Sequence, residues 1–286
     1  MIAVLKLLFK YQVKSWFSFL LCFILPFIFL IFCVAFSNTI QQPISSNGAF
    51  LALPGVIISI GPTIGILNLT LILTDFKQTL FFKRLKSMPL KMSEFFYSLV
   101  FYHLLIILII SAQLLGFSAA IYHKQIHFDW INWAWLFVTI IINSITSCLI
   151  GFIFNIFIED FKINLIIAIA FFLLTVFLSG CYLPLFVIRT SAILKYLALI
   201  IPGTYASSLM IYSWYHFTPT YNGKELISYK DYGIFTNYLI PLIISLIIIV
   251  VLLSFILFHK AIKTLPYKIK KNLQEKINAK RWKRTK

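Results

Sequence analysis

Six long apolar stretches without a charged residue limit what this chain can fold into. They cover approximately residues 16–36, 50–73, 95–121, 130–158, 163–185 and 238–258. A bilayer core of roughly 30 Å is crossed by about 20 helical residues, so each stretch is long enough to span a membrane. Lipid offers no hydrogen-bond partner to the backbone, so each span is predicted to be a helix. With 61% hydrophobic and 12% charged residues, a soluble or a disordered chain is excluded.

The basic residues predict how these spans are oriented. Lys and Arg in short loops stay on the cytoplasmic side of a membrane. Twenty of the 25 Lys and Arg residues fall in the N-terminal segment, the second and fourth connections and the C-terminal segment, and none falls between spans one and two. We therefore expect both termini to be cytoplasmic, in a plasma membrane.

The chain divides into three predicted parts: residues 1–15, 16–258 and 259–286. Lys6, Lys10 and Lys14 repeat every four residues in the first part, which indicates an interfacial helix. The second part is the six-span domain, and the third is a tail with eleven Lys and Arg residues. Because the charges border membrane spans, anionic lipid explains them and nucleic acid is not expected as a partner.

The sequence predicts no catalytic, cofactor-binding or metal-binding residue. His123 and His127 have the spacing of a helical metal pair, but no Cys or carboxylate cluster joins them. Glu159 and Asp160 are interpreted as helix-capping residues. A phosphate-binding loop is absent, because Thr218 replaces the first glycine of GxxxxGK before Gly223 and Lys224. Any energy from ATP is therefore expected to enter through another subunit.

Small and polar residues inside the spans form a second group of candidates. Small residues at four-residue spacing let membrane helices approach closely; the two rows are Gly61 with Gly65, and Ala112 with Gly116 and Ala120. Either row fits a dimer face or a contact within one subunit. Polar side chains in spans are costly and are functional candidates: Asn68, His103, Gln113, Asn143, Asn155 and Asn164.

Two connecting segments carry the strongest pattern. The connection at 75–94 interleaves basic with aromatic and aliphatic residues, which predicts an amphipathic surface. The outer segment at 186–236 begins with apolar pieces that Pro202 and Gly203 interrupt. These pieces are too short to cross, so they are predicted to form a re-entrant segment between spans five and six.

In these segments the chain resembles the permease subunit of a type-2 ATP-binding-cassette (ABC) exporter. Ser179, Gly180 and Pro184 are similar to that family's small-Gly-x-x-x-Pro element, and Pro202, Thr204 and Tyr205 to its P-x-T-Y element. The connection between spans two and three resembles the family's coupling connection at the following residues: Phe82, Lys83, Arg84, Leu85, Met88 and Pro89.

The resemblance implies an all-α polytopic permease that pairs with a second permease chain and binds two ABC ATPase subunits. It assigns ATPase coupling to Lys77 together with the six residues just named. It also places Ser179, Gly180, Pro184, Pro202 and Tyr205 in an outer hairpin. The expected cargo is an amphipathic drug, peptide, lipid or glycan. The alternatives are a secondary transporter working alone, a membrane-embedded enzyme, and a membrane immunity or accessory protein.

Overall fold

The predicted all-α polytopic fold is confirmed. The structure is a computed structural model that describes residues 2–39, 48–79, 92–123, 125–158, 160–216, 220–221, 224–225 and 233–258. Within these residues, six helices are long and apolar enough to cross a membrane: Leu20–Ser37, Gly48–Gln78, Glu94–Ile121, Trp133–Phe157, Phe161–Leu178 and Leu239–Phe258. We name them the first to the sixth span. The basic tail at 259–286 and the predicted coupling residues between 80 and 91 lie outside the described residues.

Shorter elements complete the fold. An N-terminal helix (Ile2–Lys14) precedes the first span. A 3₁₀ turn, Phe128–Trp130, leads into the fourth span. Helices Leu185–Thr190, Ala192–Ile200 and Gly203–Trp214 follow the fifth span, and we call them the hairpin helices. Strands Thr220–Tyr221 and Lys224–Glu225 pair antiparallel.

The fifth span ends earlier than its predicted boundary at residue 185. Its helix stops at Leu178, and Gly180 then takes a φ of +89°, in the left-handed region that favours glycine. The apolar residues after Gly180 therefore belong to the turn and to the first hairpin helix. The second span is longer than predicted and continues to Gln78.

The second span is the centre of the bundle. Residues along 94% of its apolar stretch are buried, compared with 11% for the sixth span. It packs against the first, third, fourth and fifth spans and against the hairpin helix Gly203–Trp214. Polar side chains on a membrane helix that is enclosed by protein cost less where a neighbouring helix supplies hydrogen-bond partners.

Two π-helical segments lie where the first and second spans meet. Leu20–Ile24 interrupts the first span and Thr63–Asn68 interrupts the second, and the two segments contact each other. A π segment widens the helix by one residue per turn and commonly marks a functional position. Here the second segment ends at Asn68, which is fully buried.

Phe50 anchors the end of the bundle that is opposite the N-terminal helix. Its side chain is only 2% exposed. The Phe50 ring centroid lies 5.5 Å from that of Trp130, 5.6 Å from that of Trp214 and 5.5 Å from that of Tyr215. These aromatic contacts join the start of the second span to the loop before the fourth span and to the last hairpin helix.

The second and fourth spans approach through glycine. A Cβ atom added at Gly65 would lie 2.6 Å from the Cβ of Ser147, and one added at Gly151 would collide with the carbonyl oxygen of Gly65. Gly61 lies against Asn143 of the same fourth span. The Gly61 and Gly65 row thus packs within the subunit, whereas Ala112, Gly116 and Ala120 are exposed on the third span.

Replacement of Gly151 by alanine is predicted to destabilise the bundle. The new methyl group meets the backbone carbonyl of Gly65 rather than a flexible side chain, so the second and fourth spans have to move apart. The free energy of unfolding should fall by about 1–3 kcal/mol. Gly116→Ala is the matched control, because nothing lies within 4 Å of its added Cβ. In thermal unfolding of the purified protein, the Gly151→Ala variant should melt lower than the parent, and the control should melt no lower, because alanine favours a helix more than glycine does. Equal melting temperatures would contradict the close approach.

Candidate functional site at the basic end of the second span

The last turn of the second span is held by the N-terminal helix. The Tyr11 hydroxyl donates a hydrogen bond to the Asp75 carboxylate. The Tyr11 ring also meets Phe76 edge-on, with centroids 5.2 Å apart, and Phe76 lies 6.2 Å from Phe95 of the third span. Burial and the hydrogen bond to Asp75 raise the pKa of Tyr11 well above its usual value, which keeps the hydroxyl protonated as the donor.

Lys77 connects the same turn to the end of the fourth span. Its Nζ donates to the backbone carbonyl of Asn155 and, at 3.3 Å, to that of Ile158. Carbonyl groups in the last turn of a helix have no partner within the helix, and a cation satisfies them and favours the negative end of the helix dipole. Lys77, which the resemblance assigns to coupling, therefore also ties the start of the basic connection to the fourth span.

A buried polar cluster joins the second, fourth and fifth spans one turn deeper. Asn164 Nδ2 donates to Thr74 Oγ1 at 3.2 Å and to Asn155 Oδ1 at 3.1 Å. Thr74 Oγ1 lies 3.2 Å from the same Asn155 oxygen, and Asn155 Nδ2 donates to the Gly151 carbonyl at 3.0 Å. Asp160 caps the fifth span beside this cluster by accepting a hydrogen bond from Ile163 N at 3.0 Å. Three spans are thus fixed to one another at this end.

A second cluster joins the N-terminal helix to the middle of the second span. Ser18 Oγ donates a hydrogen bond at 2.9 Å to Gln12 Oε1, which also accepts one at 3.2 Å from Asn68 Nδ2. The Ser18 hydroxyl also contacts Asn68 Oδ1, and Gln12 Nε2 donates to the Ser18 carbonyl at 3.0 Å. All three side chains are buried. Together with Tyr11 and Asp75, they attach the N-terminal helix to the second span at two heights.

The hairpin residues lie at the opposite end of the bundle. Helices Ala192–Ile200 and Gly203–Trp214 meet at 103°. Thr204 Oγ1 donates to the Ala198 carbonyl at 2.6 Å and the Tyr205 hydroxyl donates to the Leu199 carbonyl at 2.6 Å. Both hydrogen bonds cross the bend at Pro202, so the P-x-T-Y pattern has a physical role in closing it.

Ser179, Gly180 and Pro184 shape the entry to the hairpin. The Ser179 hydroxyl oxygen lies 3.1 Å from Cys181 Sγ, and Pro184 directly precedes the first hairpin helix. A small cavity of about 20 Å³ borders Gly180, Pro184 and Ser207, with room for about one water molecule. The hairpin residues and Lys77 therefore lie at opposite ends of the bundle, and the second span runs between the two ends.

Two histidines lie among the aromatic rings at the hairpin end of the bundle, where His216 meets Tyr212 edge-on with ring centroids 5.0 Å apart. His127 stacks on Trp130 with ring centroids 4.3 Å apart. In the part of the chain that the structure describes, no group of three His, Cys, Asp or Glu side chains is close enough to hold a metal ion.

Sequence reasoning identified only part of the polar contacts. Asn68, Asn155 and Asn164 were candidates because amides are costly in lipid, whereas Tyr11 and Gln12 were missed. The sequence feature that could have indicated these two residues is their position on the face of the N-terminal helix that carries no lysine. That pattern marks a protein-facing side, but it cannot name the partner.

The arrangement is that of a helical membrane protein whose polar contacts gather at the last turn of the second span, where the connection at 75–94 begins. A family model described as ABC-2 type transporter matches residues 1–215. The match covers 215 of the 286 residues, so the chain belongs to the ABC-2 type transporter family. It is a permease component of an ABC transporter, and this membership implies association with ABC ATPase subunits. No curated protein and no solved structure matched the chain.

Removal of the Thr74 hydroxyl is predicted to weaken the three-span cluster. Thr74→Val keeps the shape of the side chain but removes one hydrogen-bond partner from each of Asn155 and Asn164. The free energy of unfolding should fall by about 1–3 kcal/mol. Thr175→Val is the matched control: this buried hydroxyl on the fifth span has no hydrogen-bond partner among the described residues. Thermal unfolding should show a lower midpoint for Thr74→Val only. A larger loss in Thr175→Val would contradict the role given to the cluster.

Proposed function

We propose that this permease is the membrane half of an ATP-driven exporter that moves an amphipathic molecule out of the cell. The observation that carries the proposal is the convergence of contacts, in a member of the ABC-2 family, on the last turn of the second span. That turn leads into the basic connection at 75–94. A force applied to the connection would reach four neighbouring elements through Tyr11, Phe76, Lys77 and Thr74.

The proposed orientation has both termini in the cytoplasm of a cell bounded by this plasma membrane. Twenty of the 25 basic residues support it, because they fall in segments on the same side of the six spans. In that orientation the connection at 75–94 faces the cytoplasm, where ATP is available to a separate ATPase subunit. The hairpin then lies at the outer surface.

The proposed mechanism is alternating access. Closure of two ATPase subunits around ATP would displace the connection at 75–94. This displacement would tilt the second span, together with the spans that are hydrogen-bonded to its last turn. The surface that meets the ATPase is assigned to these residues: Lys77, Phe82, Lys83, Arg84, Leu85, Met88 and Pro89. ATP hydrolysis is assigned to the partner, so this chain itself is not an enzyme.

A second permease chain, identical or similar, is proposed to complete the pathway. The exposed row of Ala112, Gly116 and Ala120 is one surface where another helix fits closely. Anionic lipid is proposed to hold the basic tail at 259–286 against the inner leaflet, with on the order of 1 kcal/mol for each basic residue near the surface. A drug, peptide, lipid or glycan would each suit an apolar pathway.

Charge reversal in the connection tests the proposed coupling surface. The double substitution Lys83→Glu and Arg84→Glu places two like charges against whatever acidic surface meets the connection, which costs several kcal/mol and should weaken co-purification with the ATPase subunit. Lys224→Glu with Lys230→Glu is the matched control, since it makes the same charge change in the outer segment. Transport by the complex is measured in parallel.

The outcome separates the proposal from its alternatives. Loss of the ATPase and of transport in the first variant, with both retained in the control, is the expected result. If the parent protein transports its cargo with no ATPase bound, it acts as a secondary transporter. If assembly is equally strong in both variants, the coupling surface lies elsewhere.

A further inference from the structure

The N-terminal helix has three different sides. Its first side faces the protein and contains Val4, Leu8 and Gln12, which are 6%, 0% and 1% exposed. The N-terminal helix contacts the third span and the short helix Trp16–Phe19 that precedes the first span. Packing therefore uses about one third of the helix surface, and the rest is turned away from the bundle.

The second side is apolar and exposed. Phe9 is 60% exposed and Val13 is 59% exposed, and Trp16, two residues beyond the end of the helix, is 75% exposed. At 100° per residue, Phe9 and Val13 project from adjacent positions roughly opposite Tyr11 and Val4. Large apolar side chains exposed together on a membrane protein mark a surface that lipid covers.

The third side is basic. Lys6, Lys10 and Lys14 are all exposed and follow one another at four-residue spacing. The helix from Ile2 to Lys14 contains no acidic residue. Its lysines therefore lie next to the apolar side, as in helices that lie in the plane of a membrane surface. The ligand that matches a basic row beside an apolar row is a lipid with an anionic headgroup, since a soluble anion would satisfy only the lysines.

The attachment to the second span fixes the position of this helix in two places. Tyr11 bonds Asp75, and its neighbour Gln12 bonds the Ser18 and Asn68 pair. Asn68 and Asp75 are seven residues apart, which is two helical turns, or about 10 Å along the axis. Two contacts at different heights restrain both the sliding and the rotation of one helix against another.

We propose that the helix Ile2–Lys14 binds anionic phospholipid headgroups through Lys6, Lys10 and Lys14, and that the Tyr11 contact with Asp75 passes its position to the last turn of the second span. The three lysines and Tyr11 belong to the same helix. A displacement of this helix by bound lipid therefore moves the last turn of the second span, where the basic connection begins. Only the consequence for coupling rests on the proposed function. Lipid binding and its transmission are properties of the permease alone.

The test is hydrogen–deuterium exchange of the full-length permease, without an ATPase, in two kinds of nanodisc. One contains phosphatidylcholine only, and the other contains phosphatidylcholine mixed with phosphatidylglycerol. The amides of residues 2–14 and of residues 69–78 are followed separately. In the mixture containing the anionic lipid, both segments should exchange more slowly, by roughly tenfold.

Two variants separate binding from transmission. Lys6→Gln, Lys10→Gln and Lys14→Gln together should abolish the lipid response of both segments. Tyr11→Phe should keep the response of residues 2–14 and reduce that of residues 69–78, because it removes the hydroxyl that reaches Asp75 and leaves the contact of Gln12 with Asn68. Lys124→Gln, Lys224→Gln and Lys230→Gln together are the charge-matched control, because these residues fall in the predicted outer connections, and both responses should be retained. The melting temperature of each variant shows that it is folded.

Three results would overturn the proposal. The first is an equal lipid response in the triple variant of the N-terminal helix and in the parent. The second is a response of residues 69–78 that Tyr11→Phe leaves undiminished. The third is the absence of a lipid response in the parent, combined with loss of ATPase co-purification in the triple variant, which would assign the lysines to a protein partner. None of these results depends on whether the permease exports its cargo.

Discussion

The structure depends on the hydrogen bonds that polar side chains of the second span make with other helices, because an unpaired polar group inside a membrane bundle is costly. The second span is enclosed on almost every side, and it nevertheless carries Asn68, Thr74 and Asp75 along its basic half. Each of these three side chains is hydrogen-bonded to a different neighbour: Asn68 to Gln12, Thr74 to Asn164 and Asp75 to Tyr11. The polar groups therefore determine which helices move together with the second span.

The two ends of the second span are built differently. At the basic end, hydrogen bonds with defined partners connect it to the N-terminal helix and to the fourth and fifth spans. At the opposite end, aromatic rings around Phe50 and the tightly bent hairpin enclose it. Between them, the glycine contact of Gly65 with Gly151 brings two backbones together. A helix that is packed in this way transmits a displacement rather than absorbing it.

Much of this fold was predictable because the bilayer imposes its constraints on sequence directly. The six long apolar helices followed from apolar length, and the bend between two hairpin helices followed from Pro202 and Gly203. The end of the fifth span at Leu178 was not predicted, because the residues after Gly180 are as apolar as those before it. The partners of Asn68 and Asn155 depend on how helices pack, so no periodicity reveals them. Tyr11 and Ser18 were missed for the same reason, and the π segments have no sequence signature that we recognise.

The most direct test of the account is the side of the membrane on which the basic connection lies. A single cysteine at Lys86, introduced by Lys86→Cys, is treated with a membrane-impermeant maleimide in intact cells and in inside-out vesicles, and Lys224→Cys is treated in parallel. The four natural cysteines are buried, so they contribute little background. The account predicts that position 86 reacts only in inside-out vesicles and that position 224 reacts in intact cells. Labelling of position 86 in intact cells would contradict it, because no cytoplasmic ATPase could then drive the second span from its basic end.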